Sequence, residues 1–222
     1  MEFFLYDSLA FQDFLKANPH EGAEVEFLES IAKEGMTVID VGANIGITTV
    51  TVAKKIGGKG KVYAFEPLRG YFDVLKKNLS ANGLKNVKAF ELALVGRVGR
   101  IDFYENELSS SIVSRGSTNK TMVDATTLDN FVKEQKVERI DLINMDCEGS
   151  ELLVLKGAER TLRKNKVKIF CEIHPDALEE LGQSVGDIVE YLQRLGLEVH
   201  SVSLDDLKIG SDFENCEYIY AY

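Results

Sequence analysis

The chain has 222 residues, of which 45% are hydrophobic and 28% are charged, a composition that can fill a globular core. Its formal net charge is -10 and its lysine and arginine residues are scattered, so we expect no nucleic acid partner. Three cysteines are too few for a disulfide framework, and no apolar run approaches the ~18 residues of a membrane-spanning helix. We therefore expect a soluble, cytoplasmic protein without a membrane span, of unspecified oligomeric state.

The first part of the chain, residues 1–32, is predicted to be a helical extension of a single domain that covers residues 33–222. Apolar side chains recur at helical spacing on both sides of Asn18-Pro19. The proline disfavours a helical conformation for the residue before it, so the extension is predicted to be interrupted there.

From Thr37 onward, short β-branched or apolar runs alternate with segments of helical periodicity. This alternation predicts parallel strands whose crossover helices cover both faces of a sheet. Strands are predicted at residues 37–41, 61–65, 87–94, 100–104, 121–126, 140–145, 167–173, 197–202 and 218–222, and one helix over residues 150–165. The last strand follows too closely for a crossover helix and is predicted to be antiparallel. The polar stretch 105–120 is either a lid or acceptor-binding loop, or a solvated surface loop.

The segment that ends the first strand, Asp40-Val-Gly42-Ala-Asn44-Ile-Gly46, indicates a nucleotide-type cofactor. Glycines after a strand let the backbone turn tightly and approach a ligand, and the following helix points its N-terminus at the same place. A dinucleotide fingerprint needs G-x-G-x-x-G, and Asn44 stands where its second glycine belongs. The loop therefore argues against NAD.

Glu66, followed by Pro67, stands at the end of the next strand. A carboxylate there can accept hydrogen bonds from both ribose hydroxyls of an adenosine ligand. The alternative is that Asp40 caps the turn and Glu66 is a solvated loop residue. Because the loop and the acid lie in consecutive strand–helix units and would serve one ligand, the pair favours a cofactor site.

Several further motifs accompany this pair between residues 38 and 174. The segments are Val38-Ile-Asp-Val-Gly-Ala-Asn-Ile-Gly46, Val62-Tyr-Ala-Phe-Glu-Pro67, Thr127-Leu-Asp129, Asp141-Leu-Ile-Asn-Met-Asp-Cys-Glu-Gly149 with Glu151, Leu155-Lys-Gly157, and Glu172-Ile-His174. Together they resemble the FkbM family of S-adenosylmethionine-dependent methyltransferases. The resemblance implies an α/β, Rossmann-like class I fold whose seven-stranded sheet is mostly parallel, with the last strand antiparallel and helices on both faces.

The resemblance also implies a cofactor, S-adenosylmethionine, and residues that would bind it. Beside its methionine part would lie Asp40, Gly42, Asn44 and Gly46, and beside its ribose Glu66 with Pro67. The acid that faces adenine in many related enzymes would fall near Leu92, so no adenine contact is assigned.

Polar side chains follow two further strands: Asp146 and Glu148 come after one, and Glu172 and His174 after the next. Because the carboxyl ends of parallel strands meet at one edge of a sheet, these side chains are predicted to lie together beside the cofactor. Methyl transfer needs orientation, a dry pocket and removal of the acceptor's proton. Asp146, Glu172 and His174 are therefore the predicted catalytic residues.

Two uses of this group stay open. His174 could take the proton of a hydroxyl, since its ordinary pKa lies near neutrality. Alternatively Asp146, Glu172 and His174 could hold a divalent metal that acidifies the hydroxyl, as in catechol-type methyltransferases. We do not favour the metal, because hard cations usually need more oxygen ligands than this group offers.

Each of these residues also has a purely structural interpretation. Glu148 and Glu151 lie at the start of a predicted helix, where acids stabilise the helix dipole. His174 could belong to a turn in which Asp176 caps the following helix. Cys147 has no histidine beside it in sequence and is interpreted as a packing residue.

The sequence thus predicts an O-methyltransferase that acts on a hydroxyl of a small-molecule or sugar-like acceptor. The alternatives are an NAD-type oxidoreductase and a non-catalytic module that binds S-adenosylmethionine. An N-methyltransferase stays open, although the usual Asn-Pro-Pro-Tyr type of signature is missing. The acceptor's identity is not encoded in any motif.

Overall fold

The computed structural model describes residues 19–105, 110–214 and 216–222, so the helix predicted before Asn18 and loop residues 106–109 lie outside the described residues. The strands are β1 (Thr37–Val41), β2 (Lys61–Phe65), β3 (Val87–Phe90), β4 (Ala93–Leu94), β5 (Gly99–Tyr104), β6 (Lys120–Thr126), β7 (Leu142–Met145), β8 (Lys168–Glu172), β9 (Val199–Ser203), β10 (Lys208–Gly210) and β11 (Tyr218–Ala221). The helices are α1 (Pro19–Ile31), α2 (Ile47–Ile56), α3 (Arg69–Ala81), α4 (Leu128–Gln135), α5 (Glu151–Lys156), α6 (Glu159–Lys164), α7 (Pro175–Glu180) and α8 (Val185–Arg194).

Eight strands form the central sheet in the order β10-β9-β11-β8-β7-β1-β2-β3. The five strands from β8 to β3 pair in parallel, and β11 runs antiparallel to both β8 and β9. The predicted Rossmann-like α/β class is confirmed, including the antiparallel last strand, but the sheet has eight strands instead of the predicted seven. The strand that the sequence did not reveal is β10, which is exposed along its length and pairs with β9. An exposed strand of three residues leaves no apolar pattern to read.

Side chains on opposite faces of the sheet enter two separate cores. Adjacent β1 residues show this alternation, since Val38 packs with α2 and α3 whereas Ile39 packs with α4, α5 and α8. Both residues are fully buried. The parallel strands are therefore covered on both sides, as their continuous apolar runs require.

The described part of the predicted extension, α1, packs onto the face that also carries α2 and α3. Phe27 contacts the rings of Phe170 and Tyr220, with ring centroids 4.7 and 5.7 Å apart. Leu28 of the same helix is fully buried. Residues 19–31 thus belong to the core of the sheet, and the predicted division between residues 32 and 33 stays a prediction.

Two predicted elements are broken in the structure. The strand expected over residues 87–94 leaves the central sheet after Phe90, and β4 joins β5 and β6 in a separate three-stranded sheet. The helix expected over residues 150–165 divides into α5 and α6 around Gly157, where a Cβ would lie 2.5 Å from the carbonyl oxygen of Val95. Close packing against the small sheet requires this interruption, and helical periodicity alone did not reveal it.

Within the described residues, no helix has the length and apolar character needed to cross a bilayer.

Candidate active site

The glycine-rich loop after β1 folds tightly against the end of β7. Gly42 has a φ of 80°, and a Cβ on it would lie 1.7 Å from the carbonyl oxygen of Asp146. The backbone N–H groups of Gly42 and Ala43 both donate to the carbonyl oxygen of Phe65, at 3.1 and 2.9 Å. Only glycine satisfies this position, because it tolerates both the left-handed conformation and the close approach.

Asp40 points into the protein beneath this loop. It accepts hydrogen bonds from Thr48, Thr49 and Asn144, with Asn144 Nδ2 at 2.9 Å from Oδ1. Burial raises the pKa of Asp40, and these three hydrogen bonds partly oppose the rise. Asp40 therefore ties β1 to α2 and β7, and its place beside the cofactor stays a prediction.

Gly46 also has a supporting role. It begins α2 with a φ of 94°, and a Cβ there would lie 2.6 Å from Leu75 Cδ1. Among the four loop residues predicted to border the methionine part, Gly42 and Asn44 line the cleft, whereas Asp40 and Gly46 are absent from its lining. The predicted contacts of all four residues with the cofactor stay predictions.

Glu66 lies at the edge of the cleft and is only 6% exposed. Its two carboxylate oxygens accept from the backbone N–H groups of Leu68 (2.8 Å) and Asn44 (3.1 Å). Burial raises the pKa of Glu66 to about 7, although the hydrogen bonds from Leu68 and Asn44 lower it. The predicted pair of loop and acid is thus directly joined.

The cleft has a cavity volume of about 60 Å³ and runs from this loop to the end of β7. Its polar end carries Asp146 and Glu148, and its lining also includes Pro67 and Leu92. Its apolar wall is formed mainly by Tyr71, Ala93, Leu94, Val95 and Phe103. The small sheet therefore closes the side of the cleft next to Glu66, a contribution that no sequence motif indicated.

The predicted convergence of the β7 and β8 ends is present in the structure. His174 Nε2 lies 3.3 Å from Glu148 Oε2, 3.7 Å from Asp146 Oδ1 and 3.8 Å from Glu172 Oε1. The other ring nitrogen, Nδ1, is 3.0 Å from Oε1 of Glu151, whose side chain is fully buried. One imidazole thus stands among four carboxylates.

These neighbours change the titration of the group. Burial by itself lowers the pKa of His174, but the Glu151 hydrogen bond and the charges of Asp146 and Glu148 outweigh it and raise the pKa to about 9. Burial and the charge of Glu172 raise the pKa of Asp146, and burial raises the pKa of Glu172. The imidazole is therefore protonated at neutral pH, which disfavours its use as a free base.

Glu151 and His174 make contacts that their purely structural interpretations did not include. Glu151 begins α5, yet its Oε1 accepts from both the Gly149 backbone N–H and the imidazole. The helix after His174 begins at Pro175, so Asp176 lies inside it rather than capping it. Cys147 lines the cleft, and burial raises the pKa of its thiol well above the ordinary value, consistent with packing rather than nucleophilic chemistry.

Two members of the site escaped the sequence analysis. Glu24 on α1 is 7% exposed, and burial with the charges of Asp146 and Glu172 raises its pKa well above the ordinary value. Tyr218 on β11 is buried near Glu172, and its hydroxyl is 3.3 Å from His20 Nε2. An acid on the apolar face of a helix was the available signal for Glu24, since it shares that face with Leu28.

A basic side chain reaches the group from the predicted polar loop. Arg115 Nη1 lies 2.7 Å from Glu148 Oε2, and both side chains are largely buried. Ser110, which follows loop residues 106–109, lines the cleft. The described residues of the loop therefore contact the site.

Comparison with known proteins places this architecture among methyltransferases. The profile of the methyltransferase FkbM domain matches residues 40–199. Methyltransferase sdnD of Sordaria araneosa is 30% identical over 156 residues, 55% of this chain and 60% of that protein. Hexuronic acid methyltransferase AglP of Haloferax volcanii is 29% identical over 82% of this chain and 72% of its own. The 2-O-methyltransferase NoeI of Sinorhizobium fredii is 27% identical over 70% of each chain.

Solved structures show the same fold at lower identity. A methyltransferase FkbM from Methylobacillus flagellatus superposes with a TM-score of 0.56 and 18% identity, covering 89% of this chain and 50% of that one. A methyltransferase from Streptococcus mutans in complex with SAH gives 0.52 and 13%, covering 89% and 93%. An rRNA methylase from Clostridium thermocellum, named as putative, gives 0.54 and 14%, covering 90% and 92%.

Proposed function

This chain belongs to the methyltransferase FkbM family, and on that premise we propose that it moves a methyl group from S-adenosylmethionine to a hydroxyl oxygen of a small, sugar-like acceptor. The observation that carries the proposal is a single cleft lined by Gly42, Asn44 and Glu66 on one side and by Asp146 on the other. One bound molecule can therefore contact both groups.

The cofactor is proposed to lie along the glycine-rich loop. Its ribose hydroxyls would donate to the Glu66 carboxylate, and its adenine would rest between the side chains of Leu92, Leu94 and Phe103, which line that part of the cleft. The methionine part would follow the backbone of Gly42 toward Asp146. An apolar enclosure for adenine replaces the acid that related enzymes place near Leu92.

The chemistry of the transfer is largely supplied by the cofactor, whose sulfonium provides the methyl group and a good leaving group. The protein would orient the acceptor oxygen and take its proton. Of the three predicted catalytic residues, Asp146 lines the cleft, so we propose that it contacts the acceptor hydroxyl. His174 Nε2 lies 3.7 Å from Asp146 Oδ1 and 3.8 Å from Glu172 Oε1. His174 and Glu172 would therefore hold Asp146 in place and share the proton.

A small polar acceptor fits the surroundings of Asp146. Glu24, Glu148 and Glu172 surround the site with carboxyl groups, which can hydrogen-bond the hydroxyls of a sugar, and the formal net charge of -10 disfavours the phosphates of nucleic acids. The relatives AglP and NoeI carry names that state a hexuronic acid substrate and 2-O-methylation, and they support this acceptor class.

Calorimetric titration of the purified chain with S-adenosylmethionine, S-adenosylhomocysteine and NAD tests the cofactor. We expect both adenosyl ligands to bind and NAD not to bind. Binding of the adenosyl ligands should be weakened in Glu66→Gln and unchanged in Glu91→Gln. Glu91 is a matched control because it also follows a strand end but pairs with Arg69 at the surface. Absence of adenosyl-ligand binding by folded protein would refute the proposal.

A second assay tests turnover and acceptor class. Radiolabelled methyl transfer would be measured with panels of monosaccharides, uronic acids, phenols and RNA. Label on a sugar oxygen, located by mass spectrometry, supports the proposal, and label on RNA or on nitrogen would refute it. Cofactor binding without transfer to any member of a broad panel would favour the non-catalytic binding module instead.

A further inference from the structure

The imidazole of His174 has an unusual set of neighbours at Nε2. Three carboxylate oxygens, from Asp146, Glu148 and Glu172, lie 3.3 to 3.8 Å from this nitrogen. Within residues 19–105, 110–214 and 216–222, the hydrogen bond of the ring is made by Nδ1, to Glu151, and Nε2 makes none.

Two further observations point to a missing positive partner. Asp146 Oδ1, the oxygen nearest Nε2 on that residue, is buried and has no hydrogen-bond partner among the described residues. Glu24 reaches the same group from α1 and is 7% exposed, so it adds a further buried carboxyl group beside Asp146 and Glu172. Buried carboxylates are normally paired or coordinate a metal, because leaving them unpaired costs several kcal/mol.

Carboxyl groups outnumber basic side chains in this group. Five of them, those of Glu24, Asp146, Glu148, Glu151 and Glu172, meet here. The basic side chains beside them are His174, Arg115, which binds Glu148, and His20, whose charge acts on Glu172. A divalent cation bound among these carboxyl groups would favour their ionised form.

We propose that Asp146, Glu148 and His174 bind a divalent metal ion. One ligand atom from each residue lies within 4.8 Å of the others, and atoms coordinated to a common ion by bonds of about 2.1 Å are at most roughly 4.2 Å apart, so small side-chain movements close the site. Glu151 accepts from Nδ1 and leaves Nε2 free to coordinate, as carboxylates that orient metal-bound histidines do.

The donor set selects a class of metal. Two carboxylates and one imidazole suit Mn²⁺, Fe²⁺ or Zn²⁺ better than Ca²⁺, which prefers oxygen ligands only. Glu24 and Glu172 stand next to the site and would bind waters of the ion or the acceptor. If the proposed methyl transfer is correct, on which this last step rests, the ion would bind the acceptor oxygen and lower the pKa of its hydroxyl.

Mn²⁺ serves as the probe. The chain is treated with a chelator, transferred to metal-free buffer without cofactor, and titrated with Mn²⁺ while free Mn²⁺ is measured by electron paramagnetic resonance. We expect one ion per chain, and at least tenfold weaker binding in His174→Gln and Glu148→Gln. Arg115→Gln is expected to bind Mn²⁺ more tightly, because it removes a competing cation from Glu148.

His200→Gln is the matched control. His200 also lies beside a carboxylate, with Nε2 3.1 Å from Glu198 Oε1, but it stands on β9 outside the group. Its affinity for Mn²⁺ should equal that of the wild-type chain, and circular dichroism should show that every variant is folded. Binding that is absent from the wild type, or that survives unchanged in folded His174→Gln and Glu148→Gln, would overturn the proposal.

The outcome is independent of the proposed function. Mn²⁺ binding is measured without cofactor or acceptor, so its failure leaves the methyl transfer proposal intact. A chain that binds one Mn²⁺ through these residues but transfers no methyl group would retain the metal site and lose the proposed function.

Discussion

The two ends of the cleft differ in how their polar groups are satisfied. At the loop end, Asp40 accepts from three side chains and Glu66 accepts from two backbone N–H groups. At the other end, Asp146 Oδ1 and Glu151 Oε2 are buried without hydrogen-bond partners in the described part of the chain. The carboxylates of the loop end are thus held by hydrogen bonds from the protein itself. The two oxygens at the acidic end lack such bonds, which a proton, cation or acceptor can supply.

The largest expected effect comes from a substitution that disrupts the contact between the glycine-rich loop and the end of β7. Gly42→Ala places a Cβ 1.7 Å from the Asp146 carbonyl oxygen at a φ of 80°. Overpacking and left-handed strain together should lower the free energy of unfolding by about 3 to 5 kcal/mol and abolish cofactor binding. Chemical denaturation and calorimetry measure the two effects.

Gly35→Ala is the control for this substitution. Gly35 has the same φ of 80°, but a Cβ there meets no atom within 4 Å. Its cost should be limited to the left-handed strain of about 1 to 2 kcal/mol, with cofactor affinity unchanged. Equal destabilisation by both substitutions would show that the close approach of Gly42 to β7 is unimportant.

Asp146→Asn tests whether the acidic end of the cleft serves methyl transfer rather than cofactor binding. We expect methyl transfer to fall by about 10² to 10⁴, the usual contribution of a group that handles a proton, while cofactor affinity changes less than threefold. Initial rates with saturating cofactor and calorimetry provide the measurements. Asp124→Asn, at an exposed position on β6, should leave both unchanged. A loss of cofactor affinity equal to the loss of rate would place Asp146 in the loop end.

Glu66→Gln makes the converse test, whether the loop end of the cleft serves cofactor binding rather than methyl transfer. Loss of charge-assisted hydrogen bonds to the ribose should weaken cofactor binding by about 2 to 3 kcal/mol, roughly 30- to 150-fold. The maximal rate at saturating cofactor should stay within a few-fold of wild type, since Glu66 is remote from the transferred methyl group. A fall in that maximal rate with unchanged affinity would contradict this division.

The smallest expected effect is a pH dependence of cofactor affinity. Because burial raises the pKa of Glu66 to about 7, its carboxylate is mostly ionised at pH 8 and mostly protonated at pH 6. Cofactor affinity should therefore fall about tenfold from pH 8 to pH 6, and this component should be missing from Glu66→Gln. Titrations of both proteins over this range check it.

The same titration affects the stability of the ligand-free chain in the opposite sense. The folded state binds an extra proton between the ordinary carboxyl pKa of 4.5 and about 7. The contribution of Glu66 to stability should therefore increase as the pH falls through this window. Greater stability of Glu66→Gln relative to wild type at pH 6 than at pH 8 would contradict it.

Much of the fold and part of the site could be predicted from local sequence. Strand β1, the loop after it and Glu66 at the end of β2 lie where the pattern placed them. The breaks at Phe90 and Gly157 were not predicted, because both depend on packing with the small sheet. A continuous apolar or helical pattern contains no information about a distant neighbour that interrupts it.

The sequence by itself determined the class of fold, the family and the strand ends at which polar residues gather. These depend on periodicity, on glycines with special conformations and on residues near one another in the chain. Only the tertiary structure decided that Asp40 turns inward and that Glu24 joins Asp146 from a helix more than a hundred residues away. Side-chain direction and long-range electrostatics depend on which faces meet, and that follows from packing of the whole chain.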